Sequence, residues 1–202
     1  MASVAHSVPA AAEGTEGKVQ LGLNVPIFAY TTGTAETPAL GGINVEQDVS
    51  RTSWGIAMDP LLEIGYGVSD MFVVGGVAQI GGQSVTVGDA DDADISATSI
   101  FLAPKLDVMF SADATVRPFL SGALGLVSSS MSTGATETSA LGVGLFARAG
   151  LRWFAAPAAS LDASLGFLWQ TASGDTGTDA LKTDISVSGI SILGTVGISA
   201  WL

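Results

Sequence analysis

The chain has 202 residues, no cysteine, one histidine and a formal net charge of −12. These numbers exclude disulfides, thiolate chemistry and multi-histidine metal sites, and they argue against nucleic acid as a partner. Apolar residues make up 48% of the chain and charged residues only 13%, about half the roughly 25% usual in soluble domains, so part of the surface faces something other than water.

Residues 1–17 form a polar, Ala-rich leader that carries His6. It has no basic n-region and no long apolar core, so it is not an intact signal peptide. We expect a flexible periplasmic leader whose export signal has been removed. From residue 18 onward the dominant signal is period two. In residues 18–30 the apolar set is Val19, Leu21, Leu23, Val25, Ile27 and Ala29, against Lys18, Gln20, Gly22 and Asn24. In residues 53–68 it is Trp54, Ile56, Met58, Pro60, Leu62, Ile64, Tyr66 and Val68, against Asp59, Glu63 and Gly65. Residues 71–87 alternate less clearly, with Phe72, Val74, Ala78 and Ile80 on the apolar face.

The second half repeats the pattern. Residues 99–110 set Ile100, Leu102, Pro104, Leu106, Val108 and Phe110 against Lys105 and Asp107. Residues 115–128 set Val116, Leu120, Leu124 and Leu126 against Arg117, Ser121 and Ala123. Residues 141–154 set Leu141, Val143, Leu145, Ala147, Ala149, Leu151 and Trp153 against Arg148 and Arg152. Residues 160–171 set Leu161, Ala163, Leu165, Phe167 and Trp169 against Asp162, Ser164 and Gln170. The last strand, 187–202, sets Ile190, Ile192, Val196, Ile198 and Leu202 against Ser191, Thr195 and Ser199.

These are eight strands, most of them longer than the common 5–6 residues and suited to a tilted membrane crossing. Short connections (Ser69–Asp70, Ser111 to Ala114, Ala155 to Ala159) alternate with long polar ones (Thr31 to Thr52, Gly88 to Thr98, Ser129 to Ala140, Ala172 to Ser186). That is the layout of an all-β, eight-stranded antiparallel up-and-down transmembrane barrel over residues 18–202, with both termini on the short-turn, periplasmic side. The charge-free run of residues 185–202 is long enough for a membrane helix, but its glycines, serines and strict alternation favour a strand.

Each face then has an identity. The apolar face looks at lipid and the other looks into the lumen. Asp59, Glu63, Asp107 and Asp162 fall on inward strand positions, as do Lys105, Arg117, Arg148 and Arg152. Four acids against four bases make an internal ion-pair network, with Arg148 or Arg152 expected to meet Asp162 on the next strand. An eight-stranded interior is just wide enough for side chains to fill, and a guanidinium there is tolerated only when paired. Trp54, Tyr66, Phe72, Phe110, Trp153 and Trp169 lie at strand ends on the outward face, as an interfacial aromatic girdle requires. A soluble lipid-carrier barrel would invert the faces, with charge outside, which this composition opposes.

The pattern resembles the small eight-stranded outer-membrane β-barrel family of Gram-negative bacteria, which includes the OmpA transmembrane domain, OmpX and OmpW. The most specific local piece is Arg117-Pro118-Phe119-Leu120-Ser121-Gly122-Ala123-Leu124-Gly125. Members of this family usually end in an aromatic residue, whereas this chain ends Trp201-Leu202. The resemblance implies lipid bilayer and lipopolysaccharide as surroundings, the barrel-assembly machinery as a partner during folding, and envelope proteins as further partners.

Other motifs carry little chemistry. Asp89, Asp91, Asp92 and Asp94 cluster in an expected exposed loop and are the weak candidate for a metal (calcium) site. Gly142-Val143-Gly144 opens like a dinucleotide fingerprint but no helix follows. No cofactor is expected. Barrel hydrolases need a catalytic histidine, and His6 lies in the leader, so no enzymatic activity is expected. The expected function is a structural or interaction role in the outer membrane. The alternative is a narrow channel gated by the lumenal ion pairs, with binding of a lipid or small hydrophobe as a lesser third reading.

Overall fold

The computed structural model describes residues 14–39, 43–54, 59–85, 95–112, 114–134, 136–178 and 181–202. Nine strand segments follow in order: β1 (Val19–Ala39), β2 (Ile43–Trp54), β3 (Leu61–Gly67), β4 (Phe72–Val85), β5 (Ile95–Met109), β6 (Val116–Thr133), β7 (Thr136–Ala156), β8 (Ala159–Thr178) and β9 (Leu181–Trp201). Segments β2 and β3 are two pieces of one crossing. The upper part of β1 pairs with β2 from Phe28↔Trp54 to Ala39↔Ile43, and the lower part pairs with β3 from Val19↔Tyr66 to Asn24↔Leu61. Every later strand pairs antiparallel with the one before it, and β9 returns to β1 along Gln20–Glu36. The result is a closed ring of eight crossings, which leaves the lower wall without a free edge. Among the described residues no helix is long and apolar enough to cross a membrane, and the uncharged C-terminal run is β9.

Burial follows the sequence alternation. Along β3, Leu61, Glu63, Gly65 and Gly67 are buried and Leu62, Ile64 and Tyr66 exposed. The exposed side chains of the remaining strands are mostly Leu, Ile, Val and aromatic residues, an apolar wall on the outside of the molecule. A water-facing sheet would expose polar side chains there, so the exposed face is built for hydrocarbon.

The structure departs from the sequence reading in three places. The stretches read as long loops are mostly continuations of the strands. The β6–β7 hairpin pairs out to Thr133↔Thr136, β8–β9 to Thr178↔Leu181, and β1–β2 to Ala39↔Ile43. Their Ser, Thr and Gly content resembles loop chemistry, but paired ribbons above a membrane need no apolar face. The tip of β6–β7 is closed by Gly134 at φ 56, a left-handed position that glycine reaches without strain. In the crossing read as one strand over 53–68, Asp59 and Pro60 lie in no strand, and Ile56 and Met58 lie outside the described residues.

The third departure is Ala29, read as outward but buried in the lumen. Its cause is a register shift in β1 between Pro26 and Phe28 against β9. Pro26 has no N–H to donate to the ladder, and a bulge is where a strand tolerates that. The extra residue inverts the parity beyond it, so Ala29 turns in and Tyr30 turns out.

Candidate functional site

The lumen is filled in layers. Toward the short-turn end, Val73, Met109, Phe119, Phe154 and Trp201 form one apolar cluster. Toward the long-strand end, Leu61, Val77, Phe101, Val127, Phe146, Leu168 and Leu193, with Ala29, Ala103 and Ala123, form another. Between them lies the charged layer that is the candidate site. Glycine makes room for it: Gly65 and Gly75 pair across β3 and β4, and a Cβ on Gly75 would fall on the Ile64 carbonyl oxygen.

Strand parity explains who meets whom. Lys105 and Asp107 are two residues apart on β5, and Arg148 and Arg152 four apart on β7, so each pair shares the inward face. Glu63 enters from β3 and Asp162 from β8. Lys105 donates to Glu63 Oε2 at 2.5 Å, Asp107 Oδ2 at 2.9 Å and Gln20 Oε1 at 3.1 Å. Asp107 also accepts from Ser121 Oγ at 2.6 Å. Arg152 and Asp162 are direct partners in the β7–β8 register, and the guanidinium forks onto the carboxylate through Nε at 2.8 Å and Nη2 at 3.1 Å. It is thus Arg152, and not Arg148, that takes Asp162. The same Nη2 lies 3.7 Å from Asp107 Oδ2, which joins the two groups of charges.

Arg148 is held differently. Its Nη2 lies 2.5 Å from Glu63 Oε1, while its Nε and Nη1 have no hydrogen-bond partner. It instead lies over the rings of Phe119 and Phe146, at 5.3 and 5.8 Å. Arg152 likewise sits between Phe119 at 4.9 Å and Trp201 at 5.2 Å, and Arg117 covers Phe154 at 4.5 Å. A cation over an aromatic face gains about 0.5–1 kcal/mol when exposed and about 2 kcal/mol when desolvated. These rings therefore hold the arginines as well as stopper the barrel. Arg117 further donates from Nε to the Ala114 carbonyl at 3.1 Å.

Seven of the eight residues expected in the lumenal network are buried: Glu63, Lys105, Asp107, Arg117, Arg148, Arg152 and Asp162. Asp59 is apart from them, half-buried before β3 on the inward side of Gly81, with its carbonyl taking a hydrogen bond from Gln79 at 3.2 Å. Of the expected girdle, Tyr66, Phe72, Phe110, Trp153 and Trp169 are exposed on the outer wall. Trp54 is described by its backbone alone, and Asp89, Asp91, Asp92 and Asp94 lie outside the described residues.

Sequence reasoning set the neutral partners on the inward face but left them out of the network. Asn24 Nδ2 donates to Glu63 at 2.8 Å, Gln20 Nε2 to Ser199 at 3.1 Å, and Ser199 to Asp162 at 3.3 Å. All share the inward parity, which was the available signal. Trp201 was overlooked. It points into the lumen, donates from its indole to Ser160 at 3.1 Å and packs against Phe154 at 5.6 Å. The exposed terminal residue is Leu202.

No protein-family model and no curated protein matches the sequence. Solved structures do match its chain path. The outer membrane protein OprG from Pseudomonas aeruginosa has a TM-score of 0.56 at 15% identity, covering 94% of this chain and 99% of its own. The outer membrane protein AlkL, solved in DMPC bilayers, has a TM-score of 0.55 at 17% identity, covering 100% and 97%. The outer membrane protease OmpT from Escherichia coli has a TM-score of 0.54 at 6% identity, covering 94% and 98%. The fold is that of a small outer-membrane β-barrel. At these identities the likeness concerns the fold alone, and the same fold carries a protease in OmpT.

Proposed function

We propose that the protein is a closed barrel of the bacterial outer membrane that acts through its surfaces, in envelope integrity and in contacts made by its tall extracellular strands. The observation that carries this reading is the lumen, stoppered at three successive levels by an apolar cluster, an ion-pair layer and a second apolar cluster. A persistently wide pore would need many more strands than eight. The reading is non-enzymatic: the buried carboxylates are committed to bases and hydroxyls, not presented to a substrate. Lipid and lipopolysaccharide surround the wall, and the barrel-assembly machinery inserts it.

Solute efflux tests this. Liposomes containing the inserted protein should retain a small sugar or amino acid as tightly as protein-free liposomes. Rapid leakage would overturn the closed reading. One observation favours a gated channel as second reading: Glu63 is shared among Lys105, Arg148 and Asn24, so it has alternative partners to which it can shift.

A further inference from the structure

The extracellular ends of β5 to β9 carry a polar cleft of about 260 Å³ that the lumen and the lipid belt do not use. Register places its residues in two cross-strand rows. One runs Thr98, Ser130, Ser139, Asp175, each paired with the next. The other runs from Ser132 to Glu137, then Gly177, then Lys182. Gly177 has no side chain, so the floor between Glu137 and Lys182 is bare, and this makes the row concave. The first row continues the outward parity of the lipid-facing wall. It lies one step beyond Ile100 and Leu141, the last apolar residues on the outer faces of β5 and β7, a distance of about 7 Å along the strand. On β8 the row's Asp175 lies about 20 Å along the strand beyond the girdle residue Trp169, so the row stands above the headgroup zone that the girdle marks.

The chemistry of the lining is specific. Hydroxyls on neighbouring strands both donate and accept, at a pitch of about 4.8 Å. Two carboxylates accept only, and one ammonium donates only. Asp184 pairs with Asp175 on the next strand, so the surroundings are net negative and repel sulfate and phosphate. We propose that this cleft binds a sugar unit rich in free hydroxyls and free of anionic substituents, presented by the glycolipid of the leaflet that the strand tips cross. The inference rests on the outer-membrane reading above and adds a ligand class and a place for it.

The test uses the whole protein inserted in phosphatidylcholine nanodiscs, with folding of every variant checked by the gel mobility shift between boiled and unboiled samples. The probes are lipopolysaccharide bearing a neutral hexose outer core, the same glycolipid truncated to its anionic inner core, the free neutral outer-core oligosaccharide and heparin. The glycolipid with the neutral outer core should bind about tenfold tighter than the truncated one, a difference measurable in any equilibrium titration. Ser139→Trp, which fills the cleft, should abolish that difference, and Asp175→Asn should reduce it. Competition by the free oligosaccharide assigns recognition to the sugar wherever it comes from, and binding of the intact glycolipid alone assigns it to sugar held at the leaflet. Equal binding of the truncated glycolipid, tighter binding of heparin, or a signal that depends on added calcium with no sugar preference would each overturn the proposal. Failure to insert in the bilayer would instead sink the membrane reading itself.

Discussion

Arg152 on β7 and Asp162 on β8 face each other inside the barrel and close a two-pronged fork at 2.8 and 3.1 Å, with neither side chain reached by solvent. Bidentate geometry of this kind is the strongest form of charge-assisted hydrogen bond. Removing one partner strands the other charge in a low-dielectric interior. Asp162→Asn should therefore lower the unfolding free energy by about 3–5 kcal/mol. The pair Arg152→Met/Asp162→Leu should recover much of that loss. Urea unfolding in lipid vesicles measures both, and a single variant as stable as the wild type would contradict the fork.

The two arginines of β7 should differ. Arg148 has one ion pair and two nitrogens without acceptors, where Arg152 has a fork and a second carboxylate nearby. Fewer hydrogen bonds are lost when Arg148 is replaced. Arg148→Met should cost less than Arg152→Met in the same urea assay. Equal costs, or the reverse order, would mean that the aromatic faces and not the carboxylates hold these side chains.

Glycines give a sharper contrast. A Cβ on Gly75 meets the Ile64 backbone across β3, whereas one on Gly122 meets nothing within 4 Å. Gly75→Ala should impair refolding, and Gly122→Ala should be neutral or stabilising by about 0.4–1 kcal/mol. Refolding yields of the two proteins decide it.

The tryptophans report the two faces. Trp153 and Trp169 are exposed on the outer wall and Trp201 is buried in the lumen. Single-tryptophan variants in brominated lipid should show strong quenching for Trp153 and Trp169 and weak quenching for Trp201. Quenching of Trp201 as strong as that of Trp153 would invert the assignment of the last strand.

Much of this was legible in the sequence because a barrel wall imposes one rule, period two, over every crossing. That rule placed Lys105, Arg148, Arg152 and Asp162 indoors without any tertiary knowledge. It failed at Ala29, because a bulge after Pro26 changes parity without a change in composition. It failed in the loops, because ribbons paired in water need no apolar face and so lose the alternation that marks a strand. The specific partners within the charged layer depend on register, which composition does not encode. Gln20, Asn24 and Ser199 fell on the inward face by the same rule, but a neutral side chain gives no sign in the sequence of which charge it meets.

The central claim is that the layered lumen is shut, and single-channel recording in planar bilayers tests it most directly. With insertion verified, the wild type should show no discrete conductance, and the Arg148→Ala/Arg152→Ala variant should at most show small steps, since the apolar clusters remain on either side. Stable steps in the wild type at low voltage would contradict a closed barrel and establish a conducting path through the ion-pair layer.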